Sequence, residues 1–270
     1  MKYALGNMLN GGGIQGLDPA AKAYINAIVG AGASVSGAQR TAINNFYKSA
    51  KTDGYYNQVK RLYLPIWSVA APNAVDMISA TSGTFSGTVT HGAGFVQGNG
   101  STGRFVMNAS PQGVGMVAGS SSTFALVKTA QNGFNALILS TPVSSKFNGF
   151  GYGTNTTSYT AGNLSGINTT GLRIGILIES EIAVNSRYFR VRTTSGVTSV
   201  ATSTTSVTGN YASFNQSVMV GQSATNSFFG YSTAELGAYG MGLALTTTQA
   251  DAFTLALKTL WETCTGLTLP

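Results

Sequence analysis

The spacing of apolar residues changes once along this chain of 270 residues, near Trp67. Before that point apolar positions recur every three to four residues, the mark of a helix with one buried face. Asp18-Pro19 reads as a helix start, with Asp as N-cap and Pro in the first turn. Tyr24, Ile25, Ile28 and Val29 then share a face, and Gly30 and Gly32 end the run. A second helix is predicted from about Ser36, carrying Ala42, Ile43, Phe46 and Tyr47. A third, short one is predicted after Asp53, with Tyr56, Val59, Leu62 and Tyr63 at i, i+3, i+6 and i+7 and Pro65 as terminator. Residues 18–66 therefore read as a helical region, too small to stand alone, that packs on the rest of the chain or on a neighbouring subunit.

Beyond Trp67 short runs of Val, Phe, Tyr, Thr and Ile alternate with Gly, Asn and Ser. Strands are expected at Ala74–Ile78, Gly94–Gln97, Arg104–Met107, Thr123–Lys128, Ala136–Leu139, Leu172–Ile182, Tyr188–Thr193 and Ser217–Val220. Spacing of this kind signals an antiparallel sandwich or barrel. Thr193–Gly209, nearly all Ser, Thr, Val and Gly, reads as a strand and turns at an exposed edge. Tyr239–Leu245 reads as a buried strand. Thr246 or Thr247 then caps a last helix, with Phe253, Leu257, Leu260 and Trp261 on one face and Gly266 closing it. The fold class expected for residues 67–270 is a mainly β, antiparallel jelly-roll sandwich with a C-terminal helix packed over it. No fixed-period repeat is present, which argues against a propeller or solenoid.

Residues 1–17 form a third kind of segment. Tyr3, Leu5, Met8 and Leu9 are apolar, and Gly11-Gly12-Gly13 then breaks the chain. A segment this short cannot fold alone. It is either a tail or a docking arm that orders on a partner through those four residues.

Composition narrows the function. Charged residues make up 9% of the chain, against the ~25% of an average globular protein. Gly, Ser, Thr and Asn replace them, so the surface offers hydroxyl and amide groups for hydrogen bonding. The net charge is +7, carried by scattered residues with no basic run longer than Lys60-Arg61. This pattern favours a solvated or partner-facing surface over nucleic-acid binding. One cysteine, Cys264, rules out an intrachain disulfide and fits folding in a reducing cytoplasm. The opening residues do not read as a signal peptide, and no stretch approaches the ~20 apolar residues of a membrane span.

Candidate chemistry is sparse. The lone histidine, His91, sits beside predicted turns and reads as an exposed turn residue. No G-x-S-x-G motif seats a serine nucleophile. One His and one Cys do not make a zinc site, and eight scattered acids give no Asp-rich calcium loop. Gly149-Phe150-Gly151-Tyr152-Gly153 lacks the strand–helix setting of a phosphate loop and reads as a flexible loop. No cofactor or metal is expected.

One constellation remains. Glu179 and Glu181 are two apart and share a strand face, the spacing some jelly-roll glycosidases use for paired carboxylates. A plainer reading is an ion-pair ladder. A hairpin turning at Val184-Asn185 sets Glu179 opposite Arg190 and Glu181 opposite Tyr188, with Arg192 close by and Ile178 against Val191. Glu179, Glu181, Arg190 and Arg192 are thus expected to form structural ion pairs, each stabilising by ~0.2–1 kcal/mol. Exposed aromatics beside amide side chains, Tyr152 and Tyr159 above all, are candidate glycan contacts.

Two stretches resemble a known family. They are Asp18–Trp67, with Arg40-Thr41-Ala42-Ile43-Asn44-Asn45-Phe46 and Leu62-Tyr63-Leu64-Pro65-Ile66-Trp67, and Gly94-Phe95-Val96-Gln97-Gly98-Asn99-Gly100-Ser101-Thr102. Together with the opening Tyr3-Ala4-Leu5-Gly6-Asn7-Met8-Leu9, they resemble tailed-bacteriophage virion structural proteins. Such proteins carry a short helical region before a concanavalin-like (laminin-G-like) sandwich. The match covers about a third of the chain and includes no catalytic motif. It implies a non-enzymatic virion component, head-decorating or part of a tail or fibre. The implied docking residues are Tyr3, Leu5, Met8 and Leu9, and the implied partners are other virion proteins and copies of itself, without nucleic acid or membrane insertion. The expected location is the virion, after folding in the host cytoplasm. The alternative is a carbohydrate-binding adhesion module that recognises a host-surface glycan. A jelly-roll glycosidase is the third reading.

Overall fold

Two of the three predicted N-terminal helices form, each where a side-chain cap starts it. The computed structural model describes residues 16–129, 135–140, 148–152, 157–160, 169–170, 174–204, 211–222 and 226–270. For the strands between residues 135 and 170 it describes the backbone. Helix α1 spans Pro19–Gly30, and the Asp18 carboxylate accepts from the Ala20 amide at its start. Helix α2 spans Gly37–Thr52 behind a capping box, in which Ser36 and Gln39 satisfy each other's backbone amides. Tyr24, Ile25 and Ile28 are buried as expected, but Val29 is exposed.

The third helix does not form. Strand β1, Val59–Tyr63, takes its place and pairs antiparallel with residues Tyr239–Gly242 near the other end of the chain. Gly54, at φ +74°, turns the chain just after α2. The partner strand carries Gly240 and Gly242, where a Cβ would lie 2.0 Å from the Arg61 carbonyl oxygen and 2.1 Å from that of Gln58. Those glycines let β1 approach closely, and this long-range pairing overrides a helical periodicity only eight residues long. A short helix α3, Ala70–Asn73, follows, and the strand expected at Ala74–Ile78 is reduced to isolated bridges at Val75 and Asp76.

The remaining strands in chain order are β2 Thr84–Ser86, β3 Val89–Gly92, β4 Phe95–Gly98, β5 Arg104–Val106, β6 Ser121–Thr129, β7 Asn135–Ser140, β8 Asn148–Tyr152, β9 Thr157–Thr160 and β10 Thr169–Thr170. They continue with β11 Gly175–Ala183, β12 Ser186–Thr193, β13 Gly196–Ser203, β14 Ser217–Val218, β15 Gly221–Gln222, β16 Phe228–Phe229 and β17 Glu235–Gly242. Helix α4, Thr247–Thr265, is capped by Thr246 and closed by Gly266 at φ +72°, as the sequence indicates. The segment read as a flexible glycine loop is part of β8. It is held by β7 on one side and β9 on the other.

One sheet runs β13-β12-β11-β6-β17-β4-β3, with β1 sharing the β4 side of β17. The second runs β10-β9-β8-β7-β14-β5-β2, and β15 and β16 form a small ribbon. The serine- and threonine-rich β13 is an edge of the first sheet, as expected. This is the antiparallel sandwich with an N-terminal helical region and a C-terminal helix.

The first sheet is buried on both faces. Phe124, Leu126, Ile176, Ile178 and Tyr188 join α1, α2 and α4 in one apolar core. Ala125, Val127, Leu177, Phe189 and Val191 point the other way into a second core between the sheets. Three layers result. The helical residues are not a separate unit. Phe253 of α4 lies against Phe46 of α2, Tyr55 and Phe124 of β6, with ring centroids 6.4, 5.6 and 4.7 Å apart. The Trp261 indole N–H donates to the Gly94 carbonyl at 3.0 Å, which ties α4 to the β3–β4 hairpin.

Candidate functional sites

The paired carboxylates lie in a hairpin that turns where the sequence placed it. Ala183 pairs with Ser186, so Val184-Asn185 is the loop, and Asn185 adopts φ +64°. A β-bulge between Glu181 and Ala183 then shifts every later pair by one residue. Glu179 faces Phe189, Glu181 faces Arg187, and Ile178 faces Arg190. The expected Glu179–Arg190 ladder is therefore replaced, because a one-residue slip moves a partner strand's side chains to the opposite face.

Both glutamates point between the sheets, beside Leu177 and Phe189, and are 2% and 1% exposed. The Arg187 guanidinium donates to Glu179 Oε1 in an ion pair buried on both sides. The Tyr211 hydroxyl donates to Ser121 Oγ at 2.7 Å and lies 3.5 Å from Glu181 Oε2. Burial lowers the Arg187 pKa from its ordinary value. Arg187, Tyr211 and Ser121 complete the cluster. Sequence spacing pointed to none of them as partners, because the bulge that aligns Arg187 leaves no mark in the apolar pattern.

Arg190 and Arg192 serve the other face. Arg190 Nη1 lies 3.1 Å from Asp251 Oδ2 and 3.2 Å from the Thr247 carbonyl oxygen. Arg192 donates to Thr254 Oγ1 and to the Asp251 carbonyl, both at 2.9 Å. Beside them the Tyr188 hydroxyl donates to the Leu245 carbonyl at 2.5 Å. These three side chains clamp the first turns of α4 onto the sheet.

His91 is not an exposed turn residue. It lies in β3, half-buried, with Nδ1 at 3.2 Å from the Asn73 amide and its ring edge-on to Phe85. Burial lowers its pKa. Among the described residues no group of three or more His, Cys, Asp or Glu is placed to hold a metal. No helix among them is long and apolar enough to cross a membrane. Tyr152 and Tyr159 belong to the neighbouring strands β8 and β9, and their side chains lie outside what is described. The arm residues Tyr3, Leu5, Met8 and Leu9 also lie outside the described residues.

Concavities open on the surface of the described residues, two of them large. One, of about 490 Å³, sits at the β11–β13 end of the first sheet and is lined by Asn185, Ser186, Arg187, Tyr188, Thr202 and Thr247. The other, of about 730 Å³, is a groove between α2 and α4, with Ala42, Phe46, Ala252, Leu255 and Ala256 in its walls. The two helices run antiparallel. Gln39 Nε2 donates to the Cys264 carbonyl at one end, and Gln249 Nε2 donates to the Gly54 carbonyl at the other, both at 3.0 Å.

The fold defines the class: an antiparallel β-sandwich flanked by helices. No family model matches the chain, and no curated protein matches it. Among solved structures it is similar to domain 4 of AbnA, a GH43 extracellular arabinanase from Geobacillus stearothermophilus, solved with arabinotriose. That likeness has a TM-score of 0.52 at 11% identity and covers 74% of this chain and 98% of that domain. A Trypanosoma rangeli sialidase with 2,3-difluorosialic acid scores 0.49 at 9% identity, covering 82% of this chain and 40% of the sialidase.

Proposed function

We propose that this chain is a non-enzymatic structural component of a bacteriophage particle, either head-decorating or part of a tail or fibre. It attaches through its N-terminal part and exposes its β-sandwich. The observation that carries the non-enzymatic part is the placement of the one paired-carboxylate motif. Glu179 and Glu181 are enclosed between the sheets, and Glu179 is ion-paired with Arg187. A carboxylate pair spent on internal pairing is structural, the commoner outcome for such networks. The particle assignment rests on the resemblance of Asp18–Trp67 and Gly94–Thr102. Those stretches supply Tyr24, Phe46, Leu62, Leu64 and Val96 to the cores.

The test is incorporation. Full-length protein and a variant lacking residues 1–17 are supplied during particle assembly, and purified particles are assayed by mass spectrometry. The full chain is expected in the particles and the truncated one is not. Normal incorporation of the truncated chain overturns attachment through the arm, and absence of the full chain overturns the particle role.

A second reading, a carbohydrate-binding adhesion module, is favoured by the cavity at the β11–β13 end. Its walls combine threonine and serine hydroxyls, the Asn185 amide, Arg187 and a tyrosine, a lining suited to sugar hydroxyls. Glycan-array binding lost on Asn185→Ala supports it, and an array without signal removes it.

A further inference from the structure

The terminal strands of the two sheets differ in how they are protected. β3, β2 and β10 end their sheets with four, three and two residues. β1 has a partner strand on one side only, but it carries Lys60 and Arg61 and a bulge between Val59 and Arg61. Shortness, charge and bulges are the usual means of keeping an edge from pairing with another chain. β13 has little of this. It runs for eight residues, Gly196–Ser203, pairs with β12, and holds no charged residue and no proline. Its bulge, at Val200, falls past the middle and leaves Gly196–Ser199 regular. Thr198 and Ser199 are exposed.

The register fixes which backbone groups face outward. Thr193 pairs with Gly196 across the two-residue turn Thr194-Ser195. The pair that closes such a hairpin is hydrogen-bonded, and antiparallel pairs then alternate between bonded and non-bonded. Gly196 and Thr198 therefore bond inward to β12, while the N–H and C=O of Val197 and Ser199 point away from the sheet. Among the described residues no backbone group bonds to them from that side.

Val197 and Ser199 are centred on Thr198, so the outward pattern is its own complement. A two-fold axis through Thr198, normal to the sheet, lays β13 antiparallel to β13 of a second copy. Val197 of each chain then faces Ser199 of the other in a hydrogen-bonded pair, and Thr198 faces Thr198 in a non-bonded one. Any charge at position 198 would repel its own copy there. An edge built for a charged partner carries the opposite charge, whereas one built for its own copy carries none at the axis. The chain has a net charge of +7, yet this stretch is neutral. The nearest cations are engaged elsewhere. Arg190 and Arg192 lie opposite Ser199 and Val197 on β12, and Asp251 and Thr254 of α4 hold them.

We infer that β13 is a self-association edge. Two copies join antiparallel through Val197, Thr198 and Ser199 about an axis at Thr198, making one continuous sheet with both α4 helices on the same face. The inference stands on the sheet edge and goes beyond the particle reading, on which it does not depend. The pairing uses few residues and lacks the large area of a permanent oligomer, so it is a weak contact that forms where copies are concentrated.

The test uses the full chain carrying Thr198→Cys, oxidised at micromolar concentration. Opposed non-bonded residues have Cα atoms about 4.5 Å apart, within reach of a disulfide. A covalent dimer bridged 198 to 198 is expected, identified by peptide mass spectrometry. Thr202→Cys, exposed on the same strand but away from the axis, is the control and should bridge far more slowly. Analytical ultracentrifugation gives a reading without cysteine. The unsubstituted chain should show a concentration-dependent dimer. Thr198→Lys and Thr198→Glu should each sediment as monomers with the melting transition retained, and their equal mixture should dimerise again, because like charges directly opposite repel and unlike charges attract. An unsubstituted chain that stays monomeric up to millimolar concentration, a dimer that survives Thr198→Lys, or bridging at 202 as fast as at 198 overturns the inference.

Discussion

Replacing Arg187 with methionine tests whether the buried ion pair belongs to the architecture. Arg187 and Glu179 are both at most 3% exposed. Removing the guanidinium leaves a carboxylate between the sheets, and among the described residues Glu179 Oε2 makes no hydrogen bond that could compensate. Breaking a buried pair from one side costs about 3–5 kcal/mol. For a chain of this size each kcal/mol moves the melting temperature by about 2–4 °C, so Arg187→Met should melt roughly 6–20 °C lower. Glu179→Gln should cost less, because Arg187 still faces Glu181 across the strand pair. The double replacement Glu179→Leu with Arg187→Leu removes both charges and should recover most of the loss, since apolar substitutes for a buried pair are neutral or stabilising. Circular-dichroism melts of the four proteins at pH 7 rank them. Melting of Arg187→Met within about 2 °C of the unsubstituted protein would falsify the structural assignment of this pair.

Gly242→Ala should destabilise by roughly 1–3 kcal/mol through overpacking, since its Cβ would meet the Gln58 carbonyl oxygen at 2.1 Å. Gly30→Ala, where nothing lies within 4 Å, should be neutral or better, and urea unfolding distinguishes the two. Burial pushes the Cys264 thiol pKa up to about 12, so the folded protein should resist thiol reagents at pH 8 and react on unfolding. In Glu262, burial works against ionisation, but the Leu269 amide and Lys258 outweigh it and hold the carboxyl below its ordinary pKa. Its stabilising contribution is therefore complete above the ordinary carboxylate range and is lost as pH falls through the lowered value. Glu262→Gln should melt below the unsubstituted protein at pH 7, and the gap should narrow at about pH 3; a gap independent of pH refutes the assignment.

Much of the fold was legible because its signals are local. Asp18, Ser36 and Thr246 cap the helices they precede, and Gly266 closes α4. Short runs rich in Val, Phe, Ile and Thr marked β4, β5, β6, β11 and β12. Two things were not legible, and both are long-range. Val59–Tyr63 carries a helical spacing but is a strand because Gly240 and Gly242, some 180 residues on, admit it to the sheet. The partner of Glu179 depends on a bulge one turn away, and neither the turn residues nor the apolar pattern encode a bulge. The continuous burial of β6 and β11 added to the difficulty: with cores on both faces, polar and apolar alternation no longer separates inside from outside. Glu179 consequently reads as surface and lies in the interior.

The pairing of residues 59–63 with residues 239–242 sets a timetable. Strand β1 needs β17, and α2 needs α4, with Gln39 tied to the last turn of α4 and Gln249 to Gly54 just beyond α2. During synthesis the first helices are made long before the residues that cover them. They stay without their apolar partners until β17 and α4 have left the ribosome. The helical layer therefore closes last, and a nascent or prematurely terminated chain displays Phe46, Tyr47 and Tyr55 to solvent. Emergence of α4 is the event that seals this layer.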